Sequence, residues 1–331
     1  MNCEDPEEGV LKSNPSPTEN SSVIKLPVFL FILLLFISCE SQKVEDFSEE
    51  EVIEEGIFID DWTYKVLPKA GDIFEEAVFR FWVPEKINPR AILVLSPHSN
   101  GNGLHLSNID EWKEFAEKEK LILVGTHLTS KLSVDSYINS KTTGDALLLA
   151  ITKVMEKRNL DINNNLPILL RGFSGGGSFS FYFSQFFPKR TLAFANIKGP
   201  IVIKEIKDEN KNVPGIVIIG EKDVVVRNEQ AKSAFSLFRE AGAFWCFVEE
   251  PKTGHIIGES DGLVRSFFSE ILEKRLVNDE LKIMNEKETI LGDITTYNYF
   301  EYNDFIGDKG KAACLINDEF AQVWKVFMNG N

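Results

Sequence analysis

The chain has 331 residues, of which 43% are hydrophobic, and a formal net charge of −15. That is enough apolar material for one large domain with tails. Such an acidic surface repels phosphate backbones, so nucleic acid is excluded as the expected partner.

Residues 1–21 are polar and show no periodicity. Lys25 then precedes the apolar run Leu26–Ile37. This run is shorter than the roughly 20 residues that a spanning helix needs, and it has the length of the apolar region of a secretory signal. Ser38 and Cys39 follow, and the sequence then turns polar. A small residue before Cys resembles the cleavage box of bacterial lipoproteins, where the Cys becomes the lipidated first residue. Two features depart from the usual box: Phe36 stands where Leu is commonest, and the stretch upstream is long and acidic. An uncleaved anchor and a plain secretory signal are the alternatives. The expectation is a targeting segment over 1–38, lipidation at Cys39 and a cell-envelope or secreted location, with the membrane reached only through the N-terminus. The acidic stretch 39–56, with Glu45, Asp46, Glu49, Glu50 and Glu51, reads as a solvated tether.

The regular pattern begins at about residue 57. Ile57–Val66 and Ala77–Val83 alternate like antiparallel strands, whereas Ala91–Leu95 is continuously apolar, as in a strand buried on both faces. The turn-rich segment Ser96–Gly103 follows, then a helix with Ile109, Trp112, Phe115 and Ala116 on one face. Leu121–Val124 is the next buried strand, and a long loop is expected to about Thr143. Asp145–Arg158 is helical, Pro167–Leu170 a strand, and Gly175–Phe187 a helix stopped by Pro188. Further strands are read at Leu192–Ile197, Gly215–Ile219 and Phe244–Val248, with helices at Glu229–Ala241 and Leu263–Lys274. This alternation specifies an α/β fold: a mostly parallel central sheet with helices on both faces. The domain is expected over 57–275. An extension over 276–331, ending in a helix at Glu319–Phe327, is expected to pack on it through Trp324 and Phe327.

Four cysteines are present, Cys3, Cys39, Cys246 and Cys314, and none forms a CxxC pair, so no zinc spacing arises. Cys246 reads as a buried thiol, with a Cys246–Cys314 disulfide as the alternative.

The chemistry concentrates in the segment Pro167–Gly177, where Gly172-Phe173-Ser174-Gly175-Gly176 follows a buried strand and opens a helix. That context suits a nucleophile elbow, in which Ser sits on a strained turn at the helix N-terminus. Without such a role, Ser174 is a helix cap in a glycine-rich turn. A Ser hydroxyl needs a base, and the base needs an orienting carboxylate. Of His98, His105, His127 and His255, only His255 lies C-terminal to Ser174, in a loop after the Phe244–Val248 strand. Asp223 follows the Gly215–Ile219 strand, at the sheet edge where ligands gather. Glu221 is its main competitor as the acid, and Glu259 and Asp261 are weaker ones.

From about 77 to 275 the chain resembles the α/β-hydrolase superfamily, and within it the group of polyhydroxybutyrate depolymerases, feruloyl esterases and dienelactone hydrolases. The matching parts are the loop Ser96–Gly103, the elbow at Ser174, the Asp223 loop and the His255 loop. The resemblance implies a serine hydrolase acting on a small-molecule or polymeric carboxylic ester, with no cofactor and no metal. It also implies an oxyanion hole made by the amide of Gly175 and a first-loop amide. That loop usually reads His-Gly, but here Ser99 follows His98, which leaves Ser99 and Asn100 both open as the donor. The 16 or so residues between Lys198 and Gly215 leave no room for a large helical lid. A small serine peptidase, or a surface lipoprotein that keeps the fold without catalysis, are the alternatives.

Overall fold

A computed structural model describes residues 54–85, 88–130, 136–160, 165–278 and 280–330. Cys39, the expected targeting segment and most of the tether lie outside the described residues. The strands are β1 (Gly56–Asp60), β2 (Thr63–Val66), β3 (Phe74–Trp82), β4 (Ala91–Ser96), β5 (Leu121–Ser130), β6 (Ile168–Phe173), β7 (Thr191–Ile197), β8 (Gly215–Gly220) and β9 (Trp245–Glu250). They form one sheet in the order β1-β2-β3-β5-β4-β6-β7-β8-β9. β1 to β3 are antiparallel to one another, β3 is antiparallel to β5, and all pairings from β5 to β9 are parallel.

The helices are α1 (Asp110–Glu119), α2 (Lys141–Lys157), α3 (Gly175–Phe186), α4 (Asp208–Lys211), α5 (Val225–Glu240), α6 (Ser260–Arg275) and α7 (Asp318–Met328). Alternating strand residues feed two cores. Ile92 and Val94 of β4 face the cluster made with α2, α3 and α5. Ala91, Leu93 and Leu95 face the cluster made with α1, α6 and α7. Both sides of the central strands are therefore apolar, which is why they read as continuous hydrophobic runs. The aromatic side chains Phe179, Phe181 and Phe183 of α3 are all buried in the first cluster.

Several expected boundaries shift. The run 57–66 is a hairpin, broken where Asp60 accepts from the Trp62 amide at 2.8 Å and the Thr63 hydroxyl at 3.0 Å, a side-chain turn of the kind Asp favours. β5 continues to Ser130 because β3 pairs with it as far as Phe74. α2 starts at Lys141 and not at Asp145. α5 starts at Val225, four residues early, because Asn228 ties its first turn to the Gly220 carbonyl at 2.8 Å.

The segment after α6 adds a three-stranded sheet, with Ile290–Gly292 between Tyr299–Glu301 and Ala313–Leu315. Trp324 of α7 is fully buried and donates its indole N–H to the Phe247 carbonyl of β9 at 2.9 Å, and Phe327 is partly buried against the same cluster. Cys246 and Cys314 are free buried thiols, so the disulfide alternative is not realised. Burial raises both thiols above their ordinary pKa, which keeps them protonated and unreactive.

Trp324→Ala removes a filled core position and a satisfied N–H donor. It should destabilise the protein by about 3–5 kcal/mol, read from the denaturant midpoint. A loss below about 1 kcal/mol would mean that α7 is an appendage and not part of the core.

Candidate active site

The parallel register determines which loops meet. The chain leaves β4 to form β5 on one side and returns to form β6 on the other, so β4 and β6 are adjacent with Ser96 opposite Gly172. Such a switch point opens a crevice at the strands' carboxyl ends. There the loop after β4 faces the turn after β6. Likewise Gly220 at the end of β8 stands opposite Glu250 at the end of β9, so the Asp223 and His255 loops leave the sheet together. The Lys222 amide donates to the Thr253 carbonyl at 2.9 Å and joins the two loops.

Ser174 has φ 55° and ψ −122°, a left-handed conformation that non-glycine residues seldom adopt. Close packing holds it there. A Cβ on Gly172 would fall 1.9 Å from the Gly176 carbonyl oxygen, and one on Gly176 would fall 2.1 Å from that of Pro97. The Ser174 amide donates to the Ile197 carbonyl of β7 at 2.8 Å. The turn thus raises the Ser174 hydroxyl above the sheet at the N-terminus of α3.

Three of the sequence-predicted side chains meet there. The Ser174 hydroxyl lies 2.9 Å from His255 Nε2, and His255 Nδ1 lies 2.8 Å from Asp223 Oδ2. The Asp223 carboxylate has only acceptors to offer, so the imidazole proton belongs on Nδ1, and Nε2 is left free to accept from Ser174. Phe173 flanks the imidazole, with ring centroids 5.1 Å apart. Asp223 also accepts from the Val224 amide at 2.7 Å and from the guanidinium of Arg227. Burial pushes the Asp223 carboxyl up. The hydrogen bonds from His255 and Val224, with the charges of His255 and Arg227, outweigh it and hold the group below its ordinary value.

The competing acids are occupied elsewhere. Glu221 accepts from the Lys252 amide at 2.5 Å, and Asp261 pairs with buried Arg171 at 2.6 Å. Glu259 is exposed on its side-chain face, and its amide donates to Glu250 at 2.7 Å.

Ser99 abuts the nucleophile turn: a Cβ on Gly175 would lie 2.1 Å from its hydroxyl and 2.9 Å from its amide nitrogen. Asn100 has φ 55°, and its amide meets the Tyr137 hydroxyl at 3.4 Å. The loop is fixed from behind by the Gly103 amide on the Thr126 carbonyl (2.9 Å) and by His127 Nδ1 on the Gly101 carbonyl (3.1 Å). His98 is exposed, with Nδ1 3.1 Å from the Ser99 carbonyl, a contact within its own loop.

Arg227 escaped the sequence reading. Its Nη1 also lies 3.0 Å from His255 Nδ1, but with the proton on Nδ1 this is an approach of two donors, and the bond it makes is to Asp223. The available signal was the Asp223/Arg227 spacing of four across the start of a helix.

The chain has an α/β-hydrolase fold. Its connection between β7 and β8 carries only the one-turn α4, with no inserted lid domain. No protein-family model matches the sequence, and no curated protein matches it significantly. Solved structures do match. Esterase PE8 has a TM-score of 0.46 at 16% identity, over 58% of this chain and 97% of that one. The LpqC poly(3-hydroxybutyrate) depolymerase from Bordetella parapertussis gives 0.44 at 16%, over 62% and 88%. The dienelactone hydrolase-like promiscuous phosphotriesterase P91 from metagenomic libraries gives 0.45 at 16%, over 63% and 98%.

Among the described residues, no group of His, Cys, Asp and Glu side chains is arranged to hold a metal ion. No described helix is long and apolar enough to cross a membrane. A cleft of about 800 Å³ is lined by Trp62, Arg80, Trp82 and Lys113 and includes none of Ser174, Asp223 and His255. Ser174, Asp223 and His255 lie apart from it at the carboxyl ends of the strands, where the His255 side chain is partly exposed.

Because the folded pKa of Asp223 is depressed, its ionisation favours the native state above the ordinary carboxylate value of about 3.9. That contribution fades as pH falls through the lower folded value. The stability gap between wild type and Asp223→Asn should therefore be wide at pH 7 and narrow toward pH 3 in denaturant titrations. An equal gap at both pH values would show that the depressed ionisation adds nothing.

Proposed function

We propose that the protein is a serine hydrolase that cleaves carboxylic esters, with Ser174 as nucleophile, His255 as general base and Asp223 as the orienting acid. The observation that carries this reading is the unbroken chain Ser174–His255–Asp223, with contacts of 2.9 and 2.8 Å, built on a serine held at positive φ. A structural cap has no need of a strained backbone, a base in contact and a buried carboxylate behind it. Their coincidence is what nucleophilic catalysis requires.

In this mechanism the Ser174 oxygen attacks the ester carbonyl carbon while its proton passes to His255 Nε2. Asp223 stabilises the imidazolium without taking the proton. The negative oxygen of the tetrahedral intermediate is held by the amides of Gly175 and of the Ser99–Asn100 turn, each such donor contributing about 3–4 kcal/mol. The Ser99 amide is the better candidate of the two, since it borders Gly175 while the Asn100 amide already meets Tyr137. Collapse breaks the bond to the alcohol, which leaves with the proton from His255. Water then attacks the acyl-serine, gives a proton to His255, and releases the acid as Ser174 recovers its hydroxyl proton. We further propose that the mature chain is tethered to the cell envelope through a lipidated Cys39, which fits an open site acting on substrates outside the cytoplasm.

Wild type should hydrolyse short-chain p-nitrophenyl esters, with kcat reduced at least about 10⁴-fold in Ser174→Ala or His255→Ala. The double variant should be no worse than either single one, because the two residues act as a unit. Additive losses in the double variant, or esterase activity that survives Ser174→Ala, would contradict the assignment.

A further inference from the structure

A second charged pair lies beneath the His255 loop. Lys198, at the end of β7, and Glu250, at the end of β9, form an ion pair of 2.5 Å with side chains 0% and 6% exposed. Burying both charges is costly, and the attraction repays it only when the remaining donors and acceptors are satisfied. Here they are satisfied by one segment. Lys198 Nζ also donates to the Ile256 carbonyl. Glu250 Oε1 accepts from the Glu259 amide at 2.7 Å, and Oε2 accepts from the Ser260 hydroxyl at 3.1 Å. These contacts hold the segment that follows His255 directly, from Ile256 to Ser260.

Apolar packing contributes little at the residue next to the histidine. Ile256, the residue after the histidine, is 61% exposed. The loop backbone instead lies directly on the carboxylate: Gly258 has φ +58°, and a Cβ there would fall 2.1 Å from Glu250 Oε1. Lys198 itself is held at φ 56°, a conformation unfavourable for a non-glycine residue. A costly pair and a strained lysine thus converge on the stretch after His255, whereas the stretch before it is tied by the Lys222–Thr253 and Lys252–Glu221 bonds.

We propose that Lys198 and Glu250 are positioning residues for catalysis, a buried clamp that fixes the His255 loop so that Nε2 stays within reach of Ser174. The proposal rests on the reading of His255 as the base. Neither residue touches the substrate. Both act through the segment that follows the histidine, where a displacement of about 1 Å costs on the order of 100-fold in rate.

The test uses the full-length protein with Lys198→Met and Glu250→Met together, which removes both charges while keeping the volumes. Replacing a buried pair this way is often neutral or stabilising, but the Glu259 amide and the Ser260 hydroxyl lose their acceptor, so the thermal midpoint should fall by no more than a few degrees in a variant that still folds. In this folded variant kcat should fall by about 10- to 100-fold with KM little changed. The rate of covalent labelling by a fluorophosphonate should fall in step. Glu250→Gln, which keeps shape and an acceptor for the Glu259 amide but leaves Lys198 without its counter-charge, is the second variant should the double one not fold. It should lose kcat several-fold, again without a change in KM. A folded variant with wild-type kcat, or a loss carried by KM alone, overturns the clamp while leaving the hydrolase reading intact. A wild type that neither cleaves esters nor takes the fluorophosphonate overturns the hydrolase reading and the clamp with it.

Discussion

The register between neighbouring parallel strands is the constraint on which the site depends. Ser96 lies opposite Gly172, Phe173 opposite Ile197, and Gly220 opposite Glu250. These pairings bring four loops to one height above the sheet, although the residues they carry are up to 156 positions apart in the chain, from Ser99 to His255. A shift of one residue in any pairing would exchange the side chains that fill one core with those that fill the other and break the close packing of both. The two cores on either side of the sheet, which bury these strands almost completely, therefore also enforce the alignment of Ser174, His255 and Asp223.

Polar constraints refine what the sheet sets coarsely. The nucleophile turn is strained, and its conformation persists because Gly172 and Gly176 allow backbone contacts that no Cβ would permit. Asp223 is held by His255, Val224 and Arg227 at once. Its acceptors are thereby filled, as a buried carboxylate requires. The rim around these groups is open: Val224, Val225, Val226 and Ile256 are all more than half exposed. Rigidity at the reacting atoms thus coexists with an accessible approach.

The core strands and the elbow were legible in the sequence because continuous apolar runs and a Gly-x-Ser-x-Gly turn are local signals. Asp223 and His255 were legible for a topological reason, since each follows a buried strand at its carboxyl end. What escaped was set by partners distant in sequence. β5 owes its length to β3, six residues beyond the apolar run that marks its start. The three-residue strands of the C-terminal sheet are too short to show a period. Arg227 and the Lys198–Glu250 pair are single charges whose meaning depends on which strand ends lie side by side. Choosing Asp223 over Glu221 likewise needed the loop geometry, which turns Glu221 onto the Lys252 amide.

The central claim is that Ser174 is a nucleophile activated by His255, and covalent capture tests it most directly. The protein would be treated with a fluorophosphonate and digested, and the modified residue located by tandem mass spectrometry. The account predicts one adduct per chain, on Ser174, formed at a rate that collapses in His255→Ala. Modification elsewhere, or a folded wild type that takes no adduct, would contradict it.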